Sequence, residues 1–366
     1  MAAPPFPHPG FMRAAVRLAR KGLGRTSPNP AVGAVVVHAG RIVGKGYHRA
    51  AGLPHAEVVA LRHAGSAARG ADLYVTLEPC DHHGRTGPCT AAILEAGIAR
   101  VAYAVRDPNP KVRGGGAARL RKAGLTVHEG LLQAESAEIT RGFRRWVVSG
   151  VPYVTLKLAL SLDGQIASAS GDSRWISGEP ARLRVHRMRS EADAVMVGGG
   201  TARRDDPRLT SRIPGSRQPK RVVLTSRPAE LLQRRLLREE GGEVIVACPT
   251  GIGKRDVEAL RSLGARVLPL PSRQGKVRAR DFLAALGAEG VTSLLVEGGG
   301  RIAAWLAEEG SVDRYVVYVA PLLLGEGVRA VSGWAAKSPA AGKRLVFTSV
   351  RRVGSDIEIT AEPERP

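Results

Sequence analysis

The order of apolar and polar positions divides the chain into alternating strands and helices. Met12, Val16, Ala19 and Leu23 fall on an i, i+4, i+7, i+11 stripe, with Arg13, Arg17 and Arg20 off it. That spacing predicts an amphipathic helix. It runs straight into Ser27-Pro28-Asn29-Pro30 and a strand, so it reads as part of the fold rather than as a transit peptide. The Pro-rich MAAPPFPHPG before it reads as unstructured. Residues 31–37 (AVGAVVV) are a predicted strand, His38-Ala39-Gly40 a turn, and Arg41–Tyr47 the returning strand of a hairpin. Helices are predicted from His55 to Ala64, stopped by Gly65, from Cys89 to Ala96, stopped by Gly97, and around Ala117–Ala123. Strands are predicted at Ala71–Leu77, Arg100–Val105 and Leu125–His128. Strand and helix in alternation imply a three-layer α/β unit.

The pattern restarts at Val148-Ser149-Gly150-Val151-Pro152, which places a domain boundary between residues 149 and 150. Beyond it, strands are predicted at Tyr153–Leu160, Ala194–Val197, Arg221–Thr225, Glu243–Ala247, Arg266–Leu268 and Thr292–Val296, with helical stretches between. Arg314–Ala320, Leu345–Val350 and Asp356–Ala361 follow with little helix, giving a second α/β domain with a strand-rich end. No repeat or low-complexity tract interrupts the chain.

A length of 366 residues suits two domains with sizeable cores. Hydrophobic residues make up 43% and charged residues 24%, which excludes disorder as the main state. The longest apolar run, Tyr315 to Leu324, is half of the ~20 residues a membrane span needs. Three cysteines do not make a disulfide framework, and the closeness of Cys80 and Cys89 favours a reducing, cytoplasmic setting with a metal or catalytic role for that pair. The net charge of +22 raises nucleic acid, a membrane surface or anionic small substrates as partners. However, 45 of the 55 positive residues are Arg spread along the whole chain, as a compositional bias would produce.

His55-Ala56-Glu57, Glu78-Pro79-Cys80 and Pro88-Cys89 carry the first chemistry. A catalytic zinc takes three protein ligands and leaves one position open, and His55, Cys80 and Cys89 supply the types. All three are placed at helix starts, where aligned N–H groups favour thiolates. Glu57 is then left over as a carboxyl that shuttles protons. The competing readings are a buried structural thiol pair and a closed structural zinc with His82 or His83 as fourth ligand. His-x-Glu followed by Pro-Cys matches the zinc nucleobase deaminases, except that eight residues rather than two separate the cysteines.

Glu78-Pro79-Cys80-Asp81-His82-His83-Gly84-Arg85-Thr86-Gly87-Pro88-Cys89 closely resembles the bifunctional deaminase–reductases of riboflavin biosynthesis, in which the long cysteine spacing is the norm. So do Thr26-Ser27-Pro28-Asn29-Pro30-Ala31-Val32-Gly33, Gly46-Tyr47-His48 and Asp107-Pro108-Asn109-Pro110. That family more often has Ser at position 81 and Pro at position 87. The resemblance spans nearly the whole chain, apart from the first ten residues and Arg235–Gly290. It implies a cytidine-deaminase-like N-terminal domain over 1–149 that binds one Zn²⁺ through His55, Cys80 and Cys89, with Glu57 catalytic. Asn29, His48, His82 and the loop to Arg85 would hold the pyrimidine.

In the second domain no G-x-G-x-x-G follows the first strand, but two strands run into glycines: Val197-Gly198-Gly199-Gly200-Thr201 and Val296-Glu297-Gly298-Gly299-Gly300-Arg301. Leu156-Lys157-Leu158-Ala159-Leu160-Ser161-Leu162-Asp163-Gly164, Ser173-Arg174-Trp175-Ile176 and Asp205-Asp206-Pro207-Arg208-Leu209-Thr210-Ser211-Arg212 resemble the reductase half of the same family, whose fold is dihydrofolate-reductase-like. The resemblance implies NADPH contacts at Ala159, Trp175, Thr201, Asp205, Ser226, Gly299, Gly300, Arg301, Ile302, Ala303, Ala304 and Trp305. It implies substrate contacts at Lys157, Ser173, Arg189, Leu209, Arg212 and Glu297. Arginines that fork onto oxygens suit a sugar phosphate, and Ser226-Arg227 after a strand suits a 2′-phosphate.

The expectation is a cytoplasmic enzyme that deaminates a diaminopyrimidinone ribosyl phosphate and reduces its ribosyl group to ribityl. Its partner is that small molecule, not nucleic acid or a membrane, and a homo-oligomer is compatible with it. One rival is a tRNA- or nucleobase-type zinc deaminase with an appended nucleotide-binding domain. It calls for stacking aromatics among the basic residues, and aromatics are only 4%. A second is a zinc-stabilised binding module, which needs a fourth ligand and no Glu57.

Overall fold

The computed structural model describes residues 5–82, 87–109, 112 and 115–364. The chain divides into two compact units, Met1–Gly150 and Val151–Pro366.

The first unit runs α1 (Pro9–Arg20), β1 (Gly33–His38), β2 (Arg41–Tyr47), α2 (Ala56–Ala64), β3 (Asp72–Leu77), α3 (Cys89–Glu95), β4 (Arg100–Val105), α4 (Gly115–Lys122), β5 (Thr126–Glu129) and α5 (Gln133–Ser149). Its five strands lie in the order β2-β1-β3-β4-β5. β1 is antiparallel to β2 and β3, while β3, β4 and β5 run parallel. Ala39 and Gly40 both have positive φ, 48° and 73°, as a tight hairpin turn requires. The helices cover the Val- and Ala-rich sheet closely: a Cβ at Gly46 would collide with the Ala56 carbonyl, so that glycine lets the start of α2 lie against β2.

Two features of this unit differ from the sequence reading. Helix α1 starts at Pro9, inside the segment read as unstructured: the His8 ring accepts the Gly10 N–H at 3.1 Å, and Pro9 suits the first turn. Helix α5 was not foreseen. Its inward stripe of Ser136, Ile139 and Thr140 is weakly apolar and its remaining positions are rich in Arg and Glu, so periodicity gave little signal.

The second unit begins with β6 (Tyr153–Ser161), β7 (Gln165–Ala167), α6 (Glu179–Glu191), β8 (Ala194–Gly198), α7 (Gly199–Asp205), β9 (Lys220–Leu224) and α8 (Arg235–Arg238). It continues with β10 (Val244–Pro249), α9 (Lys254–Ser262), β11 (Arg266–Leu270), β12 (Ser272–Arg273), β13 (Lys276–Val277), α10 (Ala279–Ala288), β14 (Ser293–Val296) and α11 (Gly300–Glu308). It ends with β15 (Arg314–Ala320), β16 (Val328–Arg329), β17 (Leu345–Val353) and β18 (Asp356–Pro363). One nine-stranded sheet has the order β11-β10-β9-β8-β14-β6-β15-β18-β17. It is parallel from β11 through β15, and β18 and β17 add on antiparallel. The buried Asp193 carboxylate accepts the Thr292 N–H and hydroxyl at 2.8 and 2.7 Å and the Ser293 N–H at 3.1 Å. This fixes β14 beside β8, so that both strands deliver their glycine-rich ends to the same edge.

Candidate functional site

In the first unit β3 and the starts of α2 and α3 converge. His55 is the N-cap of α2 but makes no capping bond, which leaves its ring free to turn toward sulfur. Its Nδ1 lies 3.2 Å from Cys89 Sγ and 3.5 Å from Cys80 Sγ. Tetrahedral zinc with ordinary Zn–S and Zn–N lengths sets N···S at roughly 3.6 Å, so the donor set fits that ion. Among the described residues no fourth His, Cys, Asp or Glu atom joins the three, which lie within 4.8 Å of one another. The rival fourth ligand His83 lies outside the described residues, as do Arg85 and Pro110; His82 is described and exposed.

Cys89 opens α3 behind Pro88, and its N–H donates to Cys80 Sγ at 3.4 Å. Cys80, by contrast, does not begin a helix among the described residues: it sits in the loop after β3. Four hydrogen bonds and one close backbone approach hold that loop. Asp81 accepts Thr90 Oγ1 at 2.5 Å and Arg119 Nη1 at 2.6 Å. The Glu78 carboxylate accepts the Ala117 N–H at 3.0 Å and the Asp107 N–H at 3.2 Å. A Cβ at Gly116 would collide with the Pro79 carbonyl, so α4 lies directly against the residue before Cys80.

The electrostatics follow from this crowding. The hydrogen bond from Cys89, with help from His55, pulls the Cys80 thiol well below its ordinary value against the effect of burial. The Cys89 thiol moves up, because it is the one that keeps its proton for Cys80. Burial, and then the Cys80 thiolate, pushes the Glu57 carboxyl up to about 7.

A cavity of about 330 Å³ opens onto these groups. Asn29, His48, His82 and Glu57 line it, as the sequence led one to expect. His48 Nδ1 donates to the Pro54 carbonyl at 3.2 Å, which leaves Nε2 to accept Asn29 Nδ2 at 3.1 Å. Burial holds His48 below its ordinary value and therefore neutral. Asp107, Asn109 and Phe143 also line the cavity and were not among the expected site residues. Asp107-Pro108-Asn109 was visible as a motif; Phe143 had no signal, because its helix had none.

In the second unit the expected substrate residues Lys157, Arg189 and Glu297 come together. Arg189 grips Glu297 at both oxygens, Nε–Oε1 2.6 Å and Nη2–Oε2 2.9 Å, and its Nη1 donates to the Thr210 carbonyl at 3.1 Å. Burial alone would push Glu297 up, but the Arg189 charge and hydrogen bonds hold it below the usual range. Burial lowers the Lys157 amine, opposed by Glu297. His186, one turn before Arg189, is lowered to about 4 by burial and then by Arg189 and Arg212. Arg212 itself is exposed, and Ser173 is half-buried.

Several of the expected contact residues have their side chains packed into the core. Leu209 is buried in the core, and so are Ala303 and Ala304; each has only backbone to offer. The Trp305 indole donates to the Val277 carbonyl at 3.1 Å and packs on the Phe282 ring at a tilt of 55°. Gly299, Gly300, Arg301 and Ile302 form the turn into α11, and a Cβ on Gly299 would stand 3.3 Å from Thr201 Oγ1. The two glycine-rich strand ends therefore meet, as a dinucleotide phosphate would require. Ala159 is half-buried on β6, and Ser226 is exposed just past β9. Trp175 is 67% exposed with the Arg182 guanidinium 4.5 Å over its ring. Arg174 donates to the Asp205 carbonyl at 3.2 Å.

Residues 152–359 match the family model of the RibD C-terminal domain. Residues 7–105 match that of the cytidine and deoxycytidylate deaminase zinc-binding region. The riboflavin biosynthesis protein RibD of Bacillus amyloliquefaciens is 40% identical over 357 residues, 97% of this chain and 96% of that one. The chain belongs to the RibD family. RibD of Escherichia coli K12 is 39% identical over 95% of this chain and 97% of its own. The solved structure of Acinetobacter baumannii RibD superposes with a TM-score of 0.87 at 37% identity, covering 98% of this chain and 99% of that one. A diaminohydroxyphosphoribosylaminopyrimidine deaminase/5-amino-6-(5-phosphoribosylamino)uracil reductase from Thermotoga maritima gives 0.87 at 36% identity, covering 97% and 98%. The expected pairing of a cytidine-deaminase-like with a dihydrofolate-reductase-like α/β unit is met. The relatives also extend through Arg235–Gly290, which the motifs had not covered. No described helix is long and apolar enough to cross a membrane.

Proposed function

We propose that residues 1–149 of this RibD-family chain are the deaminase and residues 150–366 the NADPH-dependent reductase, acting in turn on one pyrimidine ribosyl phosphate in the cytoplasm. The observation that carries the first half is the meeting of His55, Cys80 and Cys89 beside the buried Glu57. His55, Cys80 and Cys89 would hold Zn²⁺, which would supply a Lewis acid that lowers the pKa of water toward neutral pH. The Glu57 carboxylate takes the proton of the attacking water and returns it to the departing amino nitrogen, so that C–NH₂ and water become C=O and ammonia. The carboxyl suits that exchange because it is buried in the first turn of α2, two residues after His55, on the wall of the same cavity. Asn29, His48 and His82 orient the ring; a neutral His48, tethered to Pro54, keeps one fixed donor and acceptor pattern.

In the second half, the glycine-rich turns with Ala159, Trp175, Thr201, Asp205 and Ser226 would hold NADPH, which would supply the hydride that reduces the ribosyl carbon bonded to nitrogen. Lys157 holds a proton at Nζ beside that carbon, and Glu297 keeps Arg189 in place. Arg189 has already given three of its donors to Glu297 and Thr210, so the exposed Arg212 takes the larger share of the phosphate. Ser173 and the Leu209 backbone complete the substrate contacts.

Mass spectrometry of products made from the diaminopyrimidinone substrate tests this directly. Without NADPH a single deaminated product is expected, and with it the ribityl product. Reduction without deamination, or neither, contradicts the proposal.

A further inference from the structure

We infer that Phe143 is a substrate-contact residue of the deaminase, forming the apolar wall against which one face of the pyrimidine lies. The inference rests on the deaminase reading above. Helix α5 packs on β4 and α1, and its inward stripe runs through Ser136, Ile139 and Thr140 to Phe143. The first three are buried, whereas Phe143 is only half-buried and lines the cavity that Glu57 and Cys80 also line. It carries the one phenyl ring among the described lining residues.

A phenylalanine left partly open at the end of a buried stripe forgoes the burial that a core position would give it. A flat ring laid over it recovers that burial. The polar groups around the cavity, on Asn29, His48, Asp107 and Asn109, can read amino and carbonyl groups at the edge of a base. Free bases and single-stranded nucleotides are gripped by this division of labour, polar groups on the edge and an aromatic ring on the face.

Phe143→Ala, Phe143→Leu and Phe143→Tyr test the inference through deaminase kinetics, zinc content and reduction of pre-deaminated substrate. Phe143→Ala is expected to raise KM for the diaminopyrimidinone roughly 10- to 100-fold, the range of a lost base–aromatic stack, with kcat nearly unchanged. Phe143→Tyr should stay close to the parent and Phe143→Leu fall between, all with zinc and reductase activity retained. If Phe143→Ala unfolds or loses zinc, the Leu and Tyr variants decide: a lower KM for Tyr supports the contact, and equal values overturn it. A KM for Phe143→Ala equal to that of the parent, with zinc bound, overturns the inference and leaves the deaminase reading standing. No deamination by the unaltered chain overturns both.

Discussion

Arg189 and Glu297, 108 positions apart, form a two-pronged ion pair at the junction of α6 and the end of β14. Both side chains are largely shielded, at 15% and 10% exposure. Glu297→Gln should therefore leave a shielded charge without its partner and destabilise the second unit by roughly 3–5 kcal/mol. Denaturant unfolding would measure it. Arg189→Met with Glu297→Leu should recover most of that stability but abolish reduction. Full reductase activity in the double variant would remove the pair from the substrate site.

The α4 helix reaches the metal centre through the close approach of Gly116 to Pro79. Gly116→Ala should push the Pro79-Cys80 segment away and weaken zinc retention roughly 10- to 100-fold, as changes behind a ligand typically do. Gly115→Ala is the control, because a Cβ there meets only the Asp81 side chain at 4.0 Å. Zinc titration against a chelator distinguishes them, with reduction unchanged in both.

His186 gives a pH dependence. Its folded value of about 4 lies below the ordinary 6.5, so between these limits the unfolded chain binds a proton that the folded chain does not. Stability contributed by this group is present above the ordinary value and is lost as pH falls toward the folded one. His186→Gln should lose less stability between neutral pH and the acid limb than the parent does. Parallel slopes in denaturant midpoint against pH would show that His186 is not held neutral.

Much of this was legible in the sequence for identifiable reasons. β1, β3, β8 and β14 are Val-, Leu- and Ala-rich runs bounded by Gly, Asp or Pro, which has one reading. His55, Glu57, Cys80 and Cys89 announce their chemistry by residue type and are brought together by three element ends. What was hidden depends on long-range partners. The pairing of Arg189 with Glu297 cannot be seen in either local sequence, and it changes Arg189 from a free phosphate clamp to a largely committed one. Leu209, Ala303, Ala304 and Trp305 follow motifs, but packing turns their side chains inward. Helix α5 gains its order from β4 and α1 rather than from its own pattern, so Phe143 went unnoticed with it.

The zinc reading separates ligands from shuttle. Purified protein should carry about one Zn²⁺ per chain, and Cys80→Ser should lose the metal and deamination together. Deamination by metal-free Cys80→Ser protein would refute the ligand set.

The measurement that bears most directly on the whole account is zinc content together with both activities in Glu57→Gln. The variant should keep its zinc, lose deamination by at least ~10²-fold, and still reduce pre-deaminated substrate with NADPH. Loss of zinc would make Glu57 a ligand, and deamination at the parent rate would mean that the proton is carried by another group.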